Sequence, residues 1–225
     1  MAQGVFITGT DTGIGKTHVA VAILRALAAS GARTVGMKPV SAGVAPGATV
    51  NADVLALRAA ANVAAPLADV NPFAYEPPIA PHVAAADADR PIVIADIVAA
   101  YARLAARADV IVVEGAGGAL VPLDARCDVL DIAAELRLPV VLVVGVRLGC
   151  LNHALLSALA IRARGLMLAG WIANRVDPAM PRADASVQAL VARLAAPMIA
   201  DLNWGDDAIR PEALRDAGLA AQRPA

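Results

Sequence analysis

Five short apolar runs rich in Val and Ile recur along the chain: "GVFITG" (4–9), "TVGMKPV" (34–40), "DVIVVEG" (109–115), "PVVLVVGV" (139–146) and "LAGWIANRV" (168–176). None alternates polar with apolar residues. A strand of that kind needs cover on both faces, which is the condition of a parallel sheet between two helical layers. Ala/Leu-rich stretches of helical period lie between them, near Lys16–Ser30, Ala52–Ala61, Pro91–Ala108, Val129–Leu136, Asn152–Arg164 and Arg182–Ala195. Strand–helix alternation implies right-handed crossovers, so the expected fold is α/β: a doubly wound, mostly parallel sheet flanked by helices. Residues 64–90 carry Pro66, Pro72, Pro77, Pro78 and Pro81 and read as an irregular covering loop. The rhythm resumes unchanged after that loop, so one domain over residues 1–225 is expected, with a frayed tail "AAQRPA".

Composition narrows the partners. Hydrophobic residues make up 59% of the chain and aromatics only 3%, so the core is built from Ala, Val, Leu and Ile. The net charge is −1 and the 19 basic residues are scattered, which argues against a nucleic-acid or anionic-membrane surface. "PVVLVVGV" falls far short of the roughly 18 apolar residues that span a bilayer. Met1-Ala2-Gln3 lacks the basic region of a signal peptide. Cys127 and Cys150 form neither a disulfide framework nor a metal-ligand spacing and read as free thiols. A soluble cytoplasmic protein is expected.

The first run feeds directly into "GTDTGIGKTH" (9–18), a relative of the phosphate-binding pattern G-x-x-x-x-G-K-[ST] with one residue added. A strand that turns through glycine into a helix leaves backbone amides and a positive helix end facing an anion. The backbone of Gly13, Ile14, Gly15, Lys16, Thr17 and His18 would surround the phosphates of a nucleotide. Lys16 would reach the β- and γ-phosphates, and the Thr17 hydroxyl would ligate Mg²⁺. In partition and division-site ATPases with a variant loop a second lysine stands where this chain has Asp11, so the acidic residue argues against that group.

Two further groups of residues fall where open α/β sheets bind ligands. Lys38 lies at the carboxyl end of the second strand, and Pro39 keeps it extended and stops the strand continuing regularly; a surface lysine at a strand end is the bland alternative. Asp53, in "NAD", is either a carboxylate facing a metal or a first-turn residue complementing its helix dipole. Glu114 ends "DVIVVE" in the place of a magnesium-binding acid. Gly115, Gly117 and Gly118 then let the backbone approach a ligand closely, with Ala116 between them in the same nucleotide-binding turn. "RLGCLNHALL" places Gly149, Cys150, Leu151 and Asn152 at another helix start. Cys150 reads as a small residue at that start rather than a nucleophile, and His153 as a satisfied polar residue.

Taken together, the long-loop G-K-T, "KPV", "NAD", "NPF", Pro81-His82, "VEGAGG", "VPL", "VVGVRLGCLNHALL" and "GWIAN" resemble the dethiobiotin synthetase family of P-loop enzymes. The match follows the family's order over about four-fifths of the chain. The resemblance implies an ATP-dependent ring closure in biotin biosynthesis. 7,8-Diaminopelargonic acid and CO₂ (or bicarbonate) form a carbamate, which attacks the γ-phosphate of ATP. The neighbouring amine then displaces phosphate from the mixed anhydride, giving the cyclic urea. By the same resemblance Lys38, Lys16 and Thr12 are catalytic, and Thr17, Asp53 and Glu114 hold Mg²⁺. Asn174 and Arg175, with Leu202, Asn203 and Trp204, form the adenine end. Ser41 meets the substrate, and Gly149–Asn152 receives its distal carboxylate across a homodimer interface.

Some positions depart from the family pattern. Ser41 precedes Ala42 where a hydroxyl residue often comes second, and Arg147 replaces a common lysine. Asn203 stands for a frequent proline, and Arg175 for an acidic residue. The alternative function is a dimeric ATPase switch that binds membrane or DNA. The missing second loop lysine and the lack of a basic amphipathic tail speak against it. A nearer rival, an amide-forming synthetase with a glutaminase domain, would need more than 225 residues.

Overall fold

The computed structural model describes residues 3–45, 47–206 and 208–219. The tail expected to fray, 220–225, lies outside the described residues. A six-stranded sheet is formed by β1 (Gln3–Gly9), β2 (Thr34–Met37), β5 (Val110–Glu114), β6 (Val140–Gly145), β7 (Leu168–Asn174) and β8 (Met198–Leu202), in the order β2-β5-β1-β6-β7-β8. Every pairing in it is parallel. A second sheet pairs β3 (Val40–Ala42) with β4 (Phe73–Tyr75). The remaining chain supplies α1 (Lys16–Ala29), α2 (Ala52–Ala60), α3 (Leu67–Val70), α4 (Pro81–Asp87), α5 (Ile94–Ala105), α6 (Val129–Glu135), α7 (Cys150–Ala163), α8 (Ala183–Arg193) and α9 (Pro211–Asp216).

The absence of alternation in the strands is explained by two cores, one on each face of the large sheet. Val5, Ile7, Val112, Val141 and Val143 point toward α1 and α9, together with Ile23, Leu24, Leu27 and Leu214. Their neighbours Phe6, Ile111, Val113, Leu142 and Val144 point the other way and pack with Ile97, Leu104, Leu130, Ile161 and Leu190 of α5 to α8. Strand period and two-sided burial together leave β5 and β6 buried throughout and β1 buried from Val5 onward.

The interruption expected at Pro39 is present: Lys38 and Pro39 break the run 34–40, and the chain leaves the large sheet to begin β3. Proline has no N–H to continue the ladder, which accounts for the break. Residues 64–90 are not irregular, since they fold as α3, β4 and α4, and β4 is the partner of β3. The sixth strand, β8, went unread because "MIADL" is short and only two of its residues are buried. Helix boundaries shift slightly: α5 begins at Ile94 rather than Pro91, and α7 at Cys150 rather than Asn152.

Gly36 in β2 shows how tightly the α1 and α2 layer is seated. A Cβ at this position would lie 2.9 Å from Leu57 Cβ and 3.0 Å from Leu24 Cδ1. Gly36→Ala is therefore expected to destabilise the fold by about 1–3 kcal/mol through overpacking. Urea denaturation at a fixed m-value reads this as a lower midpoint; an unchanged midpoint would mean the helices can shift outward.

Candidate active site

The loop after β1 is shaped by its neighbours. Gly15 is the N-cap of α1, at φ 81°, ψ 30°, and a side chain there would collide with the Asn174 amide. Only glycine meets both demands. The helix start has no side-chain cap and no acidic residue in its first turn, which leaves it fit for an anion. The first half of the loop is tied to β6: Thr10 N–H donates to the Val143 carbonyl at 3.0 Å, and Gly145 N–H donates to Thr10 Oγ1 at 3.3 Å. Ile14 is fully buried against Gly145. Gly13 and Thr12 are exposed. Lys16 is buried, and its Nζ donates to the Asp11 carbonyl at 2.7 Å.

Beside this loop, three elements deliver their charges to one point. Lys38 follows the end of β2, Glu114 ends β5, and Asp53 sits in the first turn of α2. Lys38 Nζ lies 2.6 Å from Asp53 Oδ2 and 2.7 Å from Glu114 Oε1. Thr17 Oγ1 donates to the same Glu114 Oε1 at 2.8 Å. Asp53 is thus both a first-turn residue and a carboxylate turned into the site. Asn51 caps α2 by accepting from Asp53 N–H at 3.0 Å, and its amide reaches the carbonyls of Ala42 and Gly43. The Lys38 backbone is clamped as well: its N–H donates to the Val70 carbonyl, and its carbonyl accepts from Asn71 Nδ2 at 2.6 Å.

Burial and charge set the ionisation. Burial lowers the Lys16 pKa to about 8, against the pull of Glu114 and with the push of Lys38. Burial also opposes the charge on Lys38, but Glu114 and Asp53 outweigh it and hold the pKa above the ordinary lysine value. For Asp53 burial works against ionisation, yet the Lys38 ammonium prevails and the carboxyl stays below its usual range. Glu114 Oε2 is buried with no hydrogen-bond partner among the described residues. A hard cation is the natural partner for such an oxygen, and Thr17, Asp53 and Glu114 supply the oxygen donors that Mg²⁺ takes. No cluster of three or more acidic, His or Cys side chains suited to a metal occurs among the described residues. An ion here would share its shell with phosphate oxygens.

The turn after β5 closes the roof. A Cβ on Gly117 would come 3.4 Å from Thr12 Oγ1, and one on Gly118 3.6 Å from the Gly9 carbonyl. Gly115 packs on Phe6 and Val129, with Ala116 half-buried between. At the far end of the loop, Asn174 Nδ2 donates to the Ile14 carbonyl at 2.8 Å. Arg175 is turned onto Asp201, with both bonds at 2.8 Å, and onto Asp184 at 2.7 Å. Leu202 is buried, whereas Asn203 is bound through its N–H and Nδ2 to Asp206 Oδ2 at 3.0 Å. His18 Nε2 contacts the Asp206 carbonyl, which ties this segment to α1. Trp204 is 70% exposed.

An AAA domain family model matches residues 3–212. An ATP-dependent dethiobiotin synthetase from Aromatoleum aromaticum is 53% identical over 196 residues, covering 86% of this chain and 87% of the relative. The synthetase of Xanthomonas oryzae pv. oryzae is 50% identical, with 90% and 92% covered. The chain belongs to the dethiobiotin synthetase family. Among solved structures, the septum site-determining protein MinD from Pyrococcus horikoshii, complexed with Mg-ADP, superposes with a TM-score of 0.60 at 17% identity, over 96% of this chain and 86% of that one. A ParA family ATPase from Chlorobium tepidum gives 0.54 at 16%, over 96% and 89%. At such low identity these neighbours show the shared fold alone.

For a dethiobiotin synthetase, the residues expected from sequence gather unevenly. Lys16, Thr17, Lys38, Asp53 and Glu114 meet at one point, with Thr12 and the 115–117 turn above them. Gly13–His18 and Asn174 form one continuous edge. Ser41 is 1% exposed and its hydroxyl is bonded to Asn71 Oδ1 at 3.0 Å, so it faces the protein. Arg175 is occupied by its two aspartates. Gly149 caps α7 at φ 97° with no side-chain bond; Cys150 is buried, while Leu151 and Asn152 face outward. Both cysteines are free. Sequence reasoning missed Asn51, Asn71 and Asp206. Only Asn51 carried a signal, an Asn placed just before a helix.

The low Lys16 pKa has a measurable consequence. Without divalent metal, ATP binding needs this amine charged, so affinity is expected to fall as pH rises through about 8, by up to about tenfold per pH unit, with proton uptake on binding. Calorimetric titration in two buffers between pH 7 and 9.5 checks the sign; a flat profile would place the phosphates away from Lys16.

Proposed function

We propose that this chain is one synthetase domain over residues 1–225 that closes the ureido ring of dethiobiotin from 7,8-diaminopelargonic acid, CO₂ and ATP, as a homodimer in the cytoplasm. The observation that carries the reading is Lys38, held within 2.7 Å of two carboxylates beside Lys16 and Thr17, at the carboxyl edge of a parallel sheet. The names of the relatives support this enzyme over a membrane- or DNA-binding switch.

The chemistry brings two anions together, a carbamate and a triphosphate. Their repulsion is the obstacle, and fixed positive charge in a dry site is the remedy. Lys16 leaves the Asp11 carbonyl for the β- and γ-phosphates. Lys38 faces the carbamate oxygen and the phosphoryl group it attacks, stabilising charge as the bond to ADP breaks. Thr12, exposed above them, offers its hydroxyl to the same oxygens. Thr17, Asp53 and Glu114 would hold Mg²⁺, which would add a divalent charge against the phosphates. The amides of 13–18 bind the phosphates and orient them in line. Asn174 has used its amide N–H on Ile14, which leaves its carbonyl oxygen to accept from a base amine. The second amine then attacks the activated carbonyl carbon and phosphate departs. No enzyme nucleophile is needed.

Without a ligand, Lys38 holds Asp53 and Glu114 in the place of a cation. Lys38→Met should lower kcat by about a hundredfold or more. It also leaves Glu114 buried without its counter-charge and lowers the melting point, so the assay belongs well below the new midpoint. A turnover measurement with diaminopelargonate, bicarbonate and MgATP, following phosphate and the cyclic urea by mass spectrometry, tests both the variant and the reading. Urea formation at the wild-type rate would remove Lys38 from the mechanism.

The homodimer is supported by α7. Its inner side buries Ala154, Ala158 and Ile161, while Leu151, Leu156 and Leu159 are exposed on the outer side, and Leu148 is exposed just before the helix. A helix apolar on both sides is suited to a second partner. That partner would bring Gly149–Asn152 to the distal carboxylate of the substrate. Leu156→Glu with Leu159→Glu is expected to halve the mass seen by light scattering and to raise the KM for the diamine; a wild-type monomer would exclude this arrangement.

A further inference from the structure

Asp11 poses an electrostatic problem. It is an acidic residue inside a loop whose amides and lysine are suited to a triphosphate, and an uncompensated carboxylate there would repel the ligand. Its carboxylate is met by the Arg147 guanidinium, from the segment joining β6 to α7. The other carboxylate oxygen accepts Thr12 N–H at 2.7 Å, and the Asp11 carbonyl accepts Lys16 Nζ at 2.7 Å. Asp11 is therefore a three-way junction, and each arm reaches a different part of the site.

The segment that carries Arg147 is anchored independently. Val143 and Gly145 bond Thr10 just before the junction, and Ile14 is wedged against Gly145 just after it. The guanidinium is thus presented from a rigid strand end. Both side chains of the pair are nearly half exposed, Arg147 at 42% and Asp11 at 46%. An ion pair so wet contributes little to folding. Its effect falls on the charge and direction of the Asp11 carboxylate.

We propose that Arg147 is a positioning and charge-compensating residue for phosphoryl transfer. It cancels the Asp11 charge beside the triphosphate and aims the Asp11 carboxylate so that Thr12 stands in place. This rests on the reading of residues 9–17 as the triphosphate cradle. An arginine suits the role because its planar fork fixes the direction of a carboxylate, whereas an ammonium supplies charge alone.

The test uses the full chain and MgATP as the probe, with binding by calorimetry and turnover by product. Arg147→Met is expected to weaken ATP binding and lower kcat, each by about tenfold, and Arg147→Lys to recover most of the binding but less of the rate. The decisive variant is Asp11→Asn in the Arg147→Met background. It removes the unmasked charge yet keeps an oxygen for Thr12 N–H, so ATP affinity should return to within about threefold of the wild type. Thermal midpoints should stay within about 3 °C throughout. The proposal is overturned if Arg147→Met binds and turns over like the wild type, or if the double variant binds ATP no better than Arg147→Met. ATP affinity is read without any product, so a wild type that binds ATP but forms no cyclic urea would count against the synthetase reading and leave this result standing.

Discussion

An ammonium group buried between two carboxylates organises this molecule. Leaving the Lys38 or Glu114 charge unpaired in the interior would cost about 3–5 kcal/mol, so β2 and β5 are obliged to end where these charges can meet, and α2 begins where the half-exposed Asp53 joins them. Lys38 Nζ does this for Asp53 and Glu114, and the Thr17 hydroxyl brings α1 to the same point. The sheet order supplies the geometry, since β2 and β5 are neighbours and Met37 stands opposite Val113 in register. The residues that follow each strand therefore emerge side by side. Fold and site are in this sense one construction, with the core on both faces of the sheet fixing where the charges stand.

Most of that construction was legible in the chain. Uninterrupted apolar strands announced a sheet covered on both sides, and the turn from Thr8 to Lys16 announced a loop for phosphates. The family resemblance was upheld by relatives about half identical along nearly the whole length. The residues missed share a physical character. Asn71 acts through backbone carbonyls and a neighbouring hydroxyl, and Asp206 through its own carbonyl and a turn. Partners of that kind leave no periodicity or spacing to read. The pairing of β3 with β4 was hidden for a related reason. Each is three residues long, and the two are separated by about thirty residues containing two helices.

The likeness to MinD and to a ParA family ATPase shows how little of the function lies in the fold. These proteins share the fold of this chain at 17% identity or less. Differences in chemistry must then come from the loops at the carboxyl edge. Here that edge carries an aspartate in the phosphate loop, an arginine across from it, and a lysine held in reserve between two acids.

The proline-rich segment changes meaning once the contacts of Asn71 are seen. Its amide grips the carbonyl of Lys38 while its oxygen takes the hydroxyl of Ser41, so this stretch underpins the lysine from below. A buttress of that kind tolerates trimming poorly. Anyone exchanging this region with that of a relative would need to move β3, Asn71 and β4 as a single cassette, because a shorter graft would leave the central ammonium standing on an unsupported backbone.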